Sequence, residues 1–198
     1  MITELDDPGD GRRPGAPVAC PPAACPPVSG PVPRLYGLPA VAGPGTRLLL
    51  LGSFPGRASL AAGQYYAHPR NQFWAILSAL WGRDLVAMRY AQRLAALLDA
   101  GLGLWDVHAS CQREGSLDSA IQQARPNDLA ALAATLPALR AVAHNGGESA
   151  RAMRVTAALG LPVYRLPSTS PANAGWSLAR KVQAWRDAFA AHGLVGAA

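Results

Sequence analysis

Four successive apolar residues, Leu48-Leu49-Leu50-Leu51, end abruptly at Gly52. A strand covered on one face alternates apolar with polar positions, and one buried on both faces does not. The run therefore predicts an interior strand of a parallel sheet. From about Asn71 the spacing becomes that of a helix, with Phe73, Ile76, Leu77 and Leu80 at i, i+3, i+4 and i+7. A second helix is predicted from near Met88, with Tyr90, Leu94, Leu97 and Leu98 on one side. Leu102 to Val107 reads as a second strand, Pro126 to Leu136 as a helix, and Leu139 to Ala143 as a third strand. His144-Asn145-Gly146 then leads into a helix through about Leu159, and Pro162 to Leu166 forms a fourth strand. The last helix runs from about Trp176 to Ala191; Leu178, Val182, Trp185 and Phe189 make its apolar stripe, and Gly193 stops it.

Strands alternating with helices predict an α/β fold: a single domain with a central four-stranded parallel sheet flanked by helices. The domain is expected over residues 34–193. Residues 1–33 are dense in Pro, Gly and Ala, have little to bury and read as a flexible tail; residues 194–198 read as a short C-terminal tail. In open parallel sheets ligands bind beyond the carboxyl ends of the strands. The unusual loops, after Gly52, Val107, Ala143 and Leu166, fall at those ends and are expected to share one rim.

Composition narrows the partners. The 198 residues carry a net charge of +6, which favours a polyanion. No stretch reaches the roughly 18 apolar residues of a membrane span, so no membrane partner is expected. Met1 to Asp10 is acidic and lacks an apolar signal core, which makes the cytoplasm the expected location. Cys20, Cys25 and Cys111 supply neither a disulfide framework nor the four thiolates of an iron–sulfur site, and no metal or other cofactor is called for. A monomer is expected.

The Gly52-Ser53-Phe54-Pro55-Gly56 loop lacks the endings of a Walker or dinucleotide-binding loop, and there is no serine-hydrolase elbow. It offers Phe54, a flat apolar surface, beside glycine backbone that a ligand can approach closely. Next come Gln64-Tyr65-Tyr66-Ala67-His68-Pro69-Arg70-Asn71-Gln72-Phe73-Trp74, a cluster of polar aromatics and amides just before a helix. A pocket that stacks a planar base and hydrogen-bonds its edge needs such residues, and His68 is placed in it with Tyr66. Asn71 is also a favoured helix cap, and a cap is a well-oriented group.

These segments, with Leu-Trp-Asp-Val, Gly-Ser-Leu-Asp-Ser, His-Asn-Gly and Leu-Pro-Ser-Thr-Ser-Pro-Ala-Asn in order between about Leu35 and Phe189, resemble the hypoxanthine (deoxyinosine) DNA glycosylases, a branch of the uracil-DNA glycosylase superfamily. The resemblance implies hydrolysis of the N-glycosidic bond of a deaminated base flipped out of damaged DNA. The wider superfamily's first motif is Gly-Ile-Asn-Pro-Gly, whose Asn positions the attacking water; Phe54 stands at that position here. In the branch the catalytic weight is thought to pass to the Asn of Asn-Gln-Phe-Trp, which is Asn71. Tyr66 matches a base-stacking aromatic, and Ser168, Thr169, Ser170, Pro171 and Asn173 match the loop that enters the minor groove and contacts phosphates.

Cleavage of this bond builds positive charge on the sugar and negative charge on the leaving base. Backbone N–H groups at Ser53 and Phe54 and the amides of Asn71 and Asn145 are candidate donors to the base, within a pocket floored by Gly52 and Pro55. Asn145 is equally a candidate helix cap. Asp106 is the carboxylate expected near the sugar or water, or else a structural hydrogen-bonding group. Arg57, Arg70, Arg165 and Arg180 lie near the rim and are candidates for the electrostatic footprint, each also readable as solvated surface. Lys181 is the only lysine; it lies off the apolar stripe of its helix and is expected to face solvent. That would leave no amine for Schiff-base strand cleavage, so a monofunctional enzyme is expected. The rivals are a uracil or mismatch-specific glycosylase of the same fold, a non-catalytic nucleic-acid-binding protein, and a hydrolase using Ser168 or Ser170.

Overall fold

The structure, a computed structural model, describes residues 32–195. The proline-rich segment lies outside the described residues except for Val32 and Pro33, as do residues 196–198.

The Leu48 run forms β2 (Leu48–Gly52), buried at all five positions. It lies between β3 (Leu102–Asp106) and β6 (Ala141–Asn145), parallel to both, and β7 (Val163–Leu166) pairs parallel with β6. The strand order is β3-β2-β6-β7. Its interior place explains why β2 shows no alternation. Leu48 and Leu50 face one layer, with Phe73, Ile76, Leu77, Trp185 and Phe189; Leu49 and Leu51 face the other, with Val107, Leu129 and Val142.

The first layer is built by α2 (Phe73–Trp81), α3 (Tyr90–Asp99) and α6 (Leu178–Ala190). Gly82, at φ 61°, closes α2 in the left-handed conformation, and the Ser177 hydroxyl accepts from Arg180 N to cap α6. The packing continues past residue 193 to Leu194 and Val195: Leu194 is buried, its carbonyl accepts from the Trp81 indole at 2.7 Å, and Val195 packs against the same core.

The second layer carries α4 (Leu129–Ala134) and α5 (Met153–Ala157), the latter entered through a 3-10 turn over Ser149–Ala152. His144 of β6 is fully buried there. Its Nδ1 lies 2.8 Å from Ser149 Oγ and its Nε2 2.9 Å from Thr156 Oγ1. Since the Ser149 hydroxyl donates to Leu51 O at 2.7 Å, it accepts from Nδ1–H. Burial pushes the His144 pKa down to about 4. This chain of bonds ties the end of β6 to β2, beside the loops that carry the site.

Five elements depart from the sequence expectation. A second sheet, antiparallel, joins β1 (Arg34–Tyr36), β4 (His108–Gln112) and β5 (Gln122–Pro126) in the order β1-β4-β5. Pro126 ends a strand instead of opening a helix, and α4 starts only after Asp128, whose carboxylate caps Ala131 N at 2.9 Å. A short helix α1 (Arg57–Ala62) follows the glycine loop. β5 is exposed at every position and α1 buries only Ser59, so neither has an apolar face to mark it in the sequence.

Candidate active site

The carboxyl ends of the parallel strands lie side by side, with Gly52 in register with Asp106 and Asn145 with Leu166. The segments leaving them, together with the Tyr65–Asn71 loop, line a cavity of about 910 Å³. The residues expected from the sequence to bind the base, catalyse or contact phosphates all border it, from Gly52 to Asn173, as do Arg57, Arg70 and Arg165; Arg180 does not, and its guanidinium lies 3.8 Å from the centre of the Trp176 ring.

Asp106 ends β3 at the floor of this cavity, 4% exposed. Its backbone carbonyl accepts from Asn127 Nδ2 at 2.8 Å, but its carboxylate makes no hydrogen bond among the described residues, and Oδ2 is fully buried. A carboxylate kept only for structure would be hydrogen-bonded. Burial, reinforced by nearby Asp118 and partly offset by Arg113, pushes its pKa up to about 7. The residue opposite must be glycine: a Cβ on Gly52 would stand 2.3 Å from Asp106 Oδ1.

The glycine loop passes over this floor. The backbone N–H groups of Ser53 and Phe54 find no acceptor among the described residues, which leaves two donors at the cavity wall. The loop is clamped from outside by the Gly-Ser-Leu-Asp-Ser segment. Ser53 Oγ donates to Asp118 Oδ1 at 2.8 Å, and Arg57 N donates to Ser116 Oγ at 3.1 Å. Arg113, 5% exposed, donates to the Pro55 carbonyl and places its guanidinium 5.1 Å from the centre of the Phe54 ring. Sequence reasoning missed Arg113, because an arginine in a polar loop carries no periodic signal.

Tyr66 stacks on Phe73, with ring centroids 4.0 Å apart and an interplanar angle of 26°. Its backbone sits at φ 55°, a left-handed conformation costing of order 1 kcal/mol for a bulky residue, so the packing must hold it there. Asn145 does part of this. Its Nδ2 donates to Tyr66 Oη at 3.1 Å and to Thr169 Oγ1 at 3.0 Å, while its Oδ1 accepts from Thr169 N at 3.0 Å. With both amide hydrogens engaged it has none left for a base, and it caps no helix. It acts as a brace between the stacking tyrosine and the serine-rich loop, a correction to both sequence readings.

Gln72, not Asn71, holds the cap position of α2, but Asn71 stands just before it and its Oδ1 accepts from Phe73 N at 2.9 Å. That bond fixes the amide, whose Nδ2 has no partner among the described residues. His68 is more peripheral: it is exposed on the rim, with Nδ1 accepting from Arg70 N at 3.1 Å. The serine-rich loop is drawn tightly onto the site. Thr169 is buried and its carbonyl accepts from Gln72 N at 3.0 Å; Asn173 Nδ2 donates to Ser168 O at 3.0 Å. Ser168 and Ser170 hydroxyls accept weakly from Ser170 N and Ala172 N, at 3.2 and 3.3 Å. Pro171 stands between them at the cavity edge.

Lys181 overturns its expectation. It is 1% exposed, with Nζ 2.7 Å from Gln72 Oε1 and 3.0 Å from Asn173 O. Helical spacing identifies the face that meets the sheet, but two loops from elsewhere cover the adjacent face of α6 and take the lysine in.

This arrangement has counterparts. The family model described as the uracil DNA glycosylase superfamily matches residues 39–189. The chain is 38% identical over 156 residues to the hypoxanthine DNA glycosylase of Methanosarcina barkeri, covering 79% of this chain and 98% of that one. It is 36% identical over 153 residues to the hypoxanthine DNA glycosylase of Methanosarcina acetivorans, covering 77% and 96%. Among solved structures, the solution NMR structure of a putative uracil DNA glycosylase from Methanosarcina acetivorans superposes with a TM-score of 0.70 at 34% identity, covering 78% of this chain and 98% of that one. The matched span holds the parallel sheet and all the loops that line the cavity, and the chain belongs to the uracil DNA glycosylase superfamily.

Proposed function

We propose that this chain is a DNA glycosylase that hydrolyses the N-glycosidic bond of hypoxanthine in DNA, leaving an abasic site for base excision repair, and that it acts as a cytoplasmic monomer. The observation that carries the reading is that one cavity is lined both by a buried carboxylate without a hydrogen bond, Asp106, and by three donors that find no acceptor among the described residues: Ser53 N–H, Phe54 N–H and Asn71 Nδ2. Heterolysis of a glycosidic bond needs this polarity. The flipped base enters between Phe54 and Tyr66, its growing negative charge meets the donors, and ionised Asp106 steadies the sugar cation and the attacking water. Ser168, Thr169, Ser170, Pro171 and Asn173 face the phosphates, with Arg165 and Arg70 at the same rim. The specificity for hypoxanthine follows the two Methanosarcina relatives.

Lys181 supports a monofunctional reaction for a reason other than solvent exposure. Its ammonium is engaged behind the loop and does not line the cavity, so it has no path to the sugar C1′.

Single-turnover assays on duplexes carrying hypoxanthine, xanthine or uracil, with alkali to reveal abasic sites, test the reading. Hypoxanthine release, with strand breaks appearing only after alkali, is expected. Preferential release of uracil would overturn the substrate assignment, and binding without release would overturn the activity. Breaks without alkali would overturn the monofunctional assignment. In the same assay Gly52→Ala is expected to slow release by about one order of magnitude or more, because the new methyl displaces Asp106.

A further inference from the structure

Lys181 is a positive charge taken out of water with no counter-ion to receive it. Two of its three donors reach Gln72 Oε1 and the Asn173 carbonyl, both neutral, and the third has no acceptor among the described residues. No carboxylate pairs with it among them either. Burying an uncompensated charge is costly, and a residue kept at that cost is a candidate for work done with a ligand. Chain composition sharpens the point: every other fixed cation of the side chains is an arginine, most of those described are exposed, and only Arg113 is buried as the single lysine is.

What lies in front of this ammonium is the serine-rich loop. Asn173, whose carbonyl it holds, closes the loop through its own bond to Ser168 O. Gln72, the other partner, takes hold of the same loop by donating its N–H to Thr169 O, and it directly follows Asn71. The ammonium therefore joins the loop to the turn that presents Asn71. The outer hydroxyls of the loop are held only by the two long bonds within it, so an incoming anion can redirect them.

We propose that Lys181 is a buried positioning cation for the DNA backbone: a phosphodiester bound on the Ser168–Asn173 loop compensates its charge, and its two hydrogen bonds carry that anchorage to the Asn71 turn. This rests on the DNA glycosylase reading and adds to it a residue that lies outside the cavity lining.

Charge and tether are separable by substitution. Lys181→Met removes both. Gln72→Glu keeps an acceptor for Nζ and cancels the charge, while the replaced Nε2 has no partner among the described residues to lose. Binding is read with a duplex carrying a tetrahydrofuran abasic analogue across a salt series, and thermal unfolding confirms that each variant is folded. Both variants are expected to bind about tenfold more weakly at low salt, with a salt slope shallower by about one. At saturating enzyme, Lys181→Met is expected to release base about tenfold more slowly than the wild-type chain. Wild-type affinity and slope in Gln72→Glu would overturn the proposal, whether or not Lys181→Met is impaired. If the wild-type chain releases no base from any duplex, the glycosylase reading fails, yet the affinities and salt slopes still decide the place of this charge.

Discussion

Asn71→Ala is expected to slow hypoxanthine release at saturating enzyme by about two orders of magnitude, or about 2.7 kcal/mol of barrier. Affinity for an uncleavable abasic duplex should change little. The expectation rests on the division of labour within one amide. Oδ1 is committed to Phe73 N at 2.9 Å, which sets the plane of the group, and Nδ2 is left to donate at the cavity wall. Because the same bond helps start α2, the alanine variant also loses about 1 kcal/mol of folding stability. A slow enzyme alone would not distinguish the two roles. Asn71→Asp does, since a carboxylate caps the same N–H as well as the amide but brings no donor and adds a negative charge facing the leaving base. Stability near wild type with a rate at or below that of Asn71→Ala is the expected result. Recovery of the rate in Asn71→Asp would mean that the residue matters only as a cap.

The parallel sheet was legible because β2 is enclosed on both faces, which writes burial into the sequence as an uninterrupted apolar run. The rim followed from topology, since parallel strands bring their carboxyl ends together whatever the loops contain. The antiparallel sheet was not legible: β1 is three residues long and β5 is solvent-facing throughout. Such strands are specified by pairing partners distant in sequence and leave no periodic trace. The same cause hid the braces of the site. Asn145, Arg113 and Lys181 act on segments 24 or more residues away, or lie under loops that no helical or strand period describes. Asn145 left a mark in its His-Asn-Gly setting and Lys181 as a lone lysine in a chain that otherwise uses arginine, but neither mark disclosed the partners; Arg113 left none.

Asp106→Asn is expected to lower the rate by two to three orders of magnitude and to remove its pH dependence. In the wild-type chain burial raises the carboxyl to about 7. The ionised form is the one that steadies a sugar cation, so the rate should climb about tenfold per pH unit below 7 and level off above 8. The amide variant has no such group and should give a flat profile between about pH 5.5 and 8.5. Stability moves the other way. A carboxyl whose folded pKa lies above its unfolded value near 3.8 contributes fully to stability below that value. The contribution is lost as pH rises through about 7. Above pH 7 the native chain thus carries a buried, unpartnered anion at a cost of several kcal/mol, of order 1.4 kcal/mol per unit of pKa displacement. Asp106→Asn relieves that cost, and at pH 8 it should unfold at a higher temperature than wild type while being nearly inactive. That opposition separates a working carboxylate from a structural one, whose loss would lower stability and activity together. A wild-type rate that falls as pH rises through 7 would identify the protonated acid as the working form and reverse the role assigned to Asp106.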